Sequence, residues 1–198
     1  VQIIGTLTEG VQSGSSGTLL ADDPADQFSI GGDWTIGVAG AHSDTLQGGL
    51  SADVSGALAL GAQSGGAGTL TLSGLSSTLS VEGATLAVGG GGTGSLHLAD
   101  GASLSAFSAS LTAGASAGAT GVIALDGANS TLTIGHDLTL GAAATGAGVL
   151  SIAGDGNSLT VAADATIGAS GSGSVDLQAG TTLDASSGNI VLGAQAHA

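Results

Sequence analysis

The sequence predicts an all-β fold, a right-handed parallel β-helix (solenoid) with three strands per coil and about seven coils of about 26 residues. Three observations support this prediction. Apolar and polar residues alternate in short runs, one block of residues recurs along the chain, and a glycine closes each block. Alternation with a period of two is typical of half-buried strands, and recurrence at a fixed spacing is typical of repeat folds.

The repeats organise nearly the whole chain. Residues 121–141, GVIALDGANSTLTIGHDLTLG, align without a gap to several other segments, whereas the second copy is shortened and the third is longer by one residue. The seven copies span 17–37, 44–61, 68–89, 94–114, 121–141, 148–168 and 173–193. The glycines that close them are Gly37, Gly61, Gly89, Gly114, Gly141, Gly168 and Gly193.

Each copy carries three alternating segments, which we predict to be strands. In the fifth copy the inward side chains are those of Ile123 and Leu125, Leu132 and Ile134, and Leu138 and Leu140. Apolar spacing of two disfavours helices, and a propeller blade would need about 40 residues. We therefore expect each strand to pair with its equivalent one coil later, with a rise of about 4.8 Å per coil.

The predicted organisation is one solenoid. Residues 1–16 are interpreted as an incomplete coil and residues 17–198 as a single stack of about seven repeats. Because a solenoid needs capped ends and neither end shows a clear cap, we expect the chain to be an internal fragment of a longer solenoid.

The charge balance excludes several classes of partner. The chain has 15 Asp and Glu residues, no Lys or Arg, and a formal net charge of −15. Without basic residues it cannot neutralise phosphates, so we expect no nucleic-acid binding. Polar residues interrupt every apolar stretch, so we expect no direct membrane insertion. The absence of cysteine excludes disulfides and zinc-thiolate sites.

A family resemblance rests on residues 68–101, GTLTLSGLSSTLSVEGATLAVGGGGTGSLHLADG. This stretch resembles the Gly, Ser and Thr-rich repeats of autotransporter passengers and related bacterial outer-surface proteins, and the resemblance covers about residues 17–198. It implies a secreted, β-helical protein at the surface of a Gram-negative bacterium, commonly an adhesin or a biofilm and aggregation factor.

Two aspartates form a candidate metal site. Asp137 and Asp164 each begin the third strand of adjacent copies, so their carboxylates should lie about 5 Å apart and repel. A calcium ion would relieve the repulsion, although the glycine-and-aspartate nonapeptide of calcium-binding RTX repeats is missing. The simpler interpretation, which we favour, is that both side chains splay into water and that no cofactor binds.

Hydroxyl residues form a candidate binding face. The outward residues of the second strands are Thr78 and Ser80, Ser103 and Ser105, Thr131 and Thr133, Ser158 and Thr160, and Thr182 with Asp184. These residues form a hydroxyl ladder, which could bind a glycan or ice. The favoured alternative is that Ser and Thr serve as soluble strand formers whose hydroxyls pair between coils.

The histidines do not suggest a site. We place His42 and His197 in third turns, His97 outward on a first strand and His136 in a second turn, where they do not converge as metal ligands should. We therefore expect solvated surface histidines, and in the fifth copy Asp126 and His136 are predicted to be turn residues without partners.

An enzyme is the least favoured class. Pectin-active β-helix lyases use Arg or Lys, which this chain lacks. The best candidate for a catalytic carboxylate pair is the cluster of Asp22, Asp23 and Asp26 around Pro24. It lies in an exposed turn, which would not provide the unlike environments that a general acid and a general base need.

The predicted function is structural. We expect a non-enzymatic, extracellular β-solenoid segment of a bacterial adhesin, aggregation factor or extracellular fibre. Its expected partners are neighbouring coils of the same parent chain or other copies, with glycans as the alternative and a polysaccharide-active enzyme as a remote one.

Overall fold

A computed structural model describes residues 1–25 and 27–193, and in these residues it contains 23 strands and no helix. Asp26 of the acidic turn and His197 lie outside the described residues. In chain order the strands are β1 (Gln2–Ile3), β2 (Leu7–Thr8), β3 (Ser16–Ala21), β4 (Gln27–Ile30), β5 (Trp34–Ile36), β6 (Ala41–Gln47), β7 (Ser51–Val54), β8 (Leu58–Leu60), β9 (Ala67–Ser73), β10 (Thr78–Val81), β11 (Thr85–Val88), β12 (Thr93–Ala99), β13 (Ser103–Ala106), β14 (Ser110–Ala113), β15 (Thr120–Asp126), β16 (Thr131–Ile134), β17 (Leu138–Leu140), β18 (Ala147–Ile152), β19 (Ser158–Val161), β20 (Ala165–Ile167), β21 (Ser172–Leu177), β22 (Thr182–Ala185) and β23 (Ile190–Leu192).

The strands form three parallel sheets that run the length of the molecule. The first sheet contains every third strand from β3 to β21, the second those from β1 to β22, and the third those from β2 to β23. Each strand pairs with its equivalent one coil away, as β15 does with β12 and β18. This arrangement confirms the predicted β-solenoid of about seven coils of about 26 residues.

The segment before the first full coil also belongs to this arrangement. Its two short strands pair in parallel with the first coil, β1 with β4 in the second sheet and β2 with β5 in the third. The β2–β5 pairing continues into Glu9, whose backbone N–H donates to the carbonyl of Thr35 in the first coil at 2.9 Å.

The core consists of columns of aliphatic side chains. All six residues predicted to face inward in the fifth coil are at most 1% exposed. The third-sheet column also has the predicted register. Its members are Ile36, Leu60, Val88, Ala113, Leu140, Ile167 and Leu192.

The glycines that close the coils are needed by the backbone. All seven have a positive φ, between 63° and 72°, which is a conformation that side chains disfavour. A Cβ at Gly141 would in addition collide with the carbonyl oxygen of Ser172 in the next coil. The turn after each third strand therefore requires glycine both for its conformation and for the close approach of the next coil.

Buried polar side chains form hydrogen bonds with backbone groups in the turns that precede the strands of the second sheet. The hydroxyl of Ser77 accepts the N–H of Gly49 at 2.9 Å and donates to the carbonyl of Ser73 at 2.6 Å. Two coils after Ser77, the N–H of Ser130 donates to Asn157 Oδ1 of the following coil at 2.6 Å. These hydrogen bonds offset the cost of desolvating the polar groups inside the solenoid.

Candidate functional site

The predicted hydroxyl ladder forms two straight columns on the outer face of the second sheet. One contains Thr78, Ser103, Thr131, Ser158 and Thr182, and the other contains Ser80, Ser105, Thr133, Thr160 and Asp184. The Thr131 hydroxyl donates to Ser103 Oγ at 2.8 Å, and Thr78 reaches Ser51 Oγ at 3.4 Å. These contacts show hydroxyl pairing between coils, while binding of a glycan or of ice stays a prediction.

The predicted aspartate pair is a structural ladder. Asp137 Oδ1 accepts the backbone N–H of Asp164 at 3.2 Å, and Asp164 Oδ1 accepts that of Asn189 at 2.8 Å. Asp33 Oδ1 makes the same bond to Ala57 at 2.8 Å near the start of the solenoid. Each exposed carboxylate thus satisfies a donor of the following coil, a role that needs no cation. Calcium binding by Asp137 and Asp164 stays a prediction.

Two of the histidine positions agree with the prediction. His136 is exposed, and His97 faces outward from β12. The prediction that Asp126 has no partner is wrong, because Asp126 is the last residue of β15 and its Oδ2 lies 2.7 Å from His97 Nε2. This pair is on the surface, with side chains 34% and 51% exposed.

The prediction for His42 is wrong. Strand β6 begins at Ala41, so His42 lies in the first sheet of the second coil instead of in a turn. It is paired with Gly17 on one side and with Gly68 on the other. His42 therefore occupies a column that is otherwise glycine in every coil and faces the interior.

Asp44 also faces the interior, two residues further along β6. Its neighbours in the first sheet are Leu19 and Leu70, and the column continues with aliphatic residues. Asp44 is 0% exposed. Asp44 thus occupies a core position that is aliphatic in the neighbouring coils.

Glu9 completes a cluster with these two residues. It follows β2, in which Leu7 pairs with Trp34 and Thr8 pairs with Thr35. Continuing this register by one residue places Glu9 beside Ile36. Its side chain is 10% exposed. Among the described residues, Glu9, His42 and Asp44 are the group that offers three ligand atoms within 4.8 Å of one another.

The distances inside the cluster are short. His42 Nε2 lies 3.0 Å from Asp44 Oδ1 and 3.5 Å from Glu9 Oε1. The 3.0 Å contact is not aligned as a hydrogen bond, and neither His42 Nε2 nor either oxygen of Asp44 makes a hydrogen bond of good geometry, although the Glu9 carboxyl and the backbone of Leu19 lie near the Asp44 carboxyl. Burial, together with the adjacent Glu9 carboxyl, raises the pKa of Asp44 to about 9.

Trp34 orients Glu9 from the third sheet. The indole N–H of Trp34 donates to Glu9 Oε2 at 3.0 Å, which leaves Oε1 as the oxygen nearer to His42. Trp34 is itself fully buried, and its ring centroid lies 5.3 Å from that of Phe28. The position of Glu9 is therefore set by packed aromatic residues.

A surface depression reaches the cluster at His42. It is lined by Gly10, Ser15, Ser16 and Gly17 among others. A Cβ at Gly17 would lie 2.6 Å from Cε1 and Nδ1 of His42. Glycine at this position therefore leaves the space that the imidazole occupies.

The cluster left signals in the sequence. Aligned on the other copies, Asp44 falls in an aliphatic column and His42 in a glycine column. Because His42 takes the place of that glycine, the second copy looks shortened in the sequence, and His42 is predicted to lie in the preceding turn.

The described residues contain no helix long and apolar enough to cross a membrane. No protein-family model, curated protein or solved structure matches this chain.

Proposed function

We propose that this chain is a structural segment of a bacterial surface rod, part of an adhesin, an aggregation or biofilm factor, or an extracellular fibre. The observation that supports this most is the unbroken strand register through all coils of the three sheets. A stack in which each coil contacts only its neighbours extends in one dimension. The repeat's resemblance to autotransporter passengers supports the same class.

The last described coil offers a surface for further strands. Ile190 and Leu192 continue columns that are buried in the preceding coil, but they are 50% and 73% exposed. Strands β21, β22 and β23 end their sheets, and an open parallel edge accepts another strand readily. We propose that coils of the same parent chain or of another copy cover this end.

Electron microscopy of the producing bacterium, with gold-labelled antibody raised against this chain, tests the proposal. We expect label on the cell surface or on extracellular filaments. A continuous labelled filament would indicate self-assembly, and a tapering single-chain stalk would indicate an autotransporter passenger. Label confined to the cell interior would contradict the proposed function.

A second candidate function is binding of a glycan or ice by the hydroxyl columns, which the register of the second sheet favours. The double change Thr131→Lys and Thr133→Lys would place bulky charges in both columns. The matched control, Thr139→Lys and Thr166→Lys, changes outward residues of the third sheet. Loss of glycan-array or ice-recrystallisation signal in the first variant alone would support this function, whereas equal signals would assign the ladder a scaffolding role.

A further inference from the structure

We propose that Glu9, His42 and Asp44 bind a divalent transition metal of the zinc class, through one imidazole nitrogen and two carboxylate oxygens. This site is independent of the proposed rod function, because the cluster lies inside the first coils and not on the ladders. It is also distinct from the aspartate pair considered for calcium.

The spacing of the donor atoms fits such an ion. Zinc binds histidine nitrogen and carboxylate oxygen at about 2.0 to 2.2 Å, so two of its ligands in tetrahedral geometry lie about 3.3 Å apart. The His42 Nε2 distances of 3.0 Å to Asp44 and 3.5 Å to Glu9 bracket that separation. Three protein ligands would leave the fourth position to water, as in other open zinc sites.

The buried atoms of the cluster call for a positively charged partner. Asp44 is completely buried, and neither of its oxygens nor His42 Nε2 makes a hydrogen bond of good geometry. A buried carboxylate without a partner carries a large desolvation cost. Because the chain contains no Lys or Arg, charge compensation must come from a proton or from a bound cation. A divalent cation would balance both carboxylates at once.

The ligand chemistry selects the zinc class over calcium. Calcium takes roughly six to eight oxygen ligands, whereas this cluster offers one nitrogen and few oxygens in a confined interior. Imidazole is a preferred ligand of zinc and of neighbouring transition metals. The surface aspartates Asp137 and Asp164 offer only oxygen ligands, so their ligand chemistry does not favour transition metals.

The surroundings provide orientation and access. The Trp34 indole holds Glu9 Oε2, which turns Oε1 toward His42. Hydrogen bonds of this kind to metal ligands typically contribute about 10- to 100-fold to metal affinity. The depression beside His42 and Gly17 provides a path from solvent. Trp34 is therefore a positioning residue for the metal.

Zinc titration of the chelator-stripped protein near neutral pH tests the site. Trp34 is the only tryptophan, and the chain has no tyrosine, so intrinsic fluorescence reports directly on the cluster. We expect a saturable change with one zinc ion per chain. Competition with a chromogenic chelator gives the affinity, and cobalt substitution should give the visible absorption of a four-coordinate ion.

The variants are chosen so that the fold survives. Asp44→Leu and His42→Gly install the residue types found in the same columns of other coils, and circular dichroism should confirm their folding. We expect each to weaken zinc binding at least 100-fold, and Trp34→Phe, followed by chelator competition, to weaken it 10- to 100-fold. His97→Ala removes the surface histidine that contacts Asp126 and should leave the affinity unchanged.

Several results would overturn the proposal. These are the absence of saturable zinc binding by the wild-type chain, zinc binding that survives both Asp44→Leu and His42→Gly, and loss of zinc binding in His97→Ala. In each case the cluster would be a buried carboxyl pair that holds a proton instead of a metal.

Discussion

At the scale of single residues, the column to which a side chain belongs decides its environment. Asp44 shares its column with Leu19 and Leu70, so a group that is solvated elsewhere on the chain is buried here. Glu9 and His42 are the titratable groups that face it, because the flanking strands β3 and β9 contain none. Its pKa of about 9 follows from this burial and from Glu9.

The first prediction concerns the stability of the metal-free protein. The ordinary pKa of Asp44 is 3.8 and its value in the fold is about 9, so between these values the folded state holds a proton that the unfolded state releases. Stability should therefore fall as the pH rises across this interval, with a slope that approaches about 1.4 kcal/mol per pH unit. Asp44→Leu should remove this contribution and raise the stability.

Urea unfolding in the presence of a chelator, at a series of pH values, measures this effect. Asp53→Asn serves as the control, because Asp53 is an exposed residue of β7 and its removal should leave the slope unchanged. Parallel pH profiles for wild type and Asp44→Leu would contradict the assignment. Excess zinc should reduce the slope of the wild type, because the metal replaces the proton.

At the scale of strands and turns, most of the fold could be predicted. The alternation in residues such as Leu132 and Ile134 identified strands, and the closing glycines identified the turns. The prediction that His42 lies in a turn is wrong because His42 belongs to β6, at the position where the other coils have glycine. The cluster could not be predicted from the sequence, since it joins Glu9, which follows β2, to two residues of β6, and the approach of these segments depends on coil stacking.

The second prediction concerns the turn that closes each coil. Gly141→Ala should destabilise the protein by more than the roughly 1 to 2 kcal/mol that a left-handed conformation costs an ordinary residue, because its Cβ also meets the Ser172 carbonyl. Gly118→Ala is the matched control, since Gly118 has a φ of 77° but no atom within 4 Å of the added carbon. Comparing the thermal unfolding of the two variants separates the cost of the steric collision from the cost of the left-handed conformation. Equal losses of stability in the two variants would contradict the prediction.

At the scale of the whole molecule, charge determines how rods approach one another. A net charge of −15 without a basic residue produces repulsion between the sides of two solenoids. Divalent cations or acid should reduce that repulsion, because both neutralise surface carboxylates. Association should therefore depend on solution conditions more than on new contacts.

The third prediction follows from this repulsion. Light scattering should increase when calcium is added or when the pH is lowered, and sodium chloride at the same ionic strength should have a smaller effect. The Asp44→Leu variant should respond as the wild type does, because the repulsion arises from surface carboxylates. Scattering that does not change with calcium or with acid would contradict the prediction.

The constant register of the three sheets also bears on how such a chain can evolve. In the middle of the stack, duplication or deletion of one coil leaves equivalent surfaces in contact and changes the length by about 4.8 Å. Between Glu9 and Asp44 the same event would separate residues that meet inside the molecule. The molecule therefore combines a freely extendable region with an initial segment whose length is constrained.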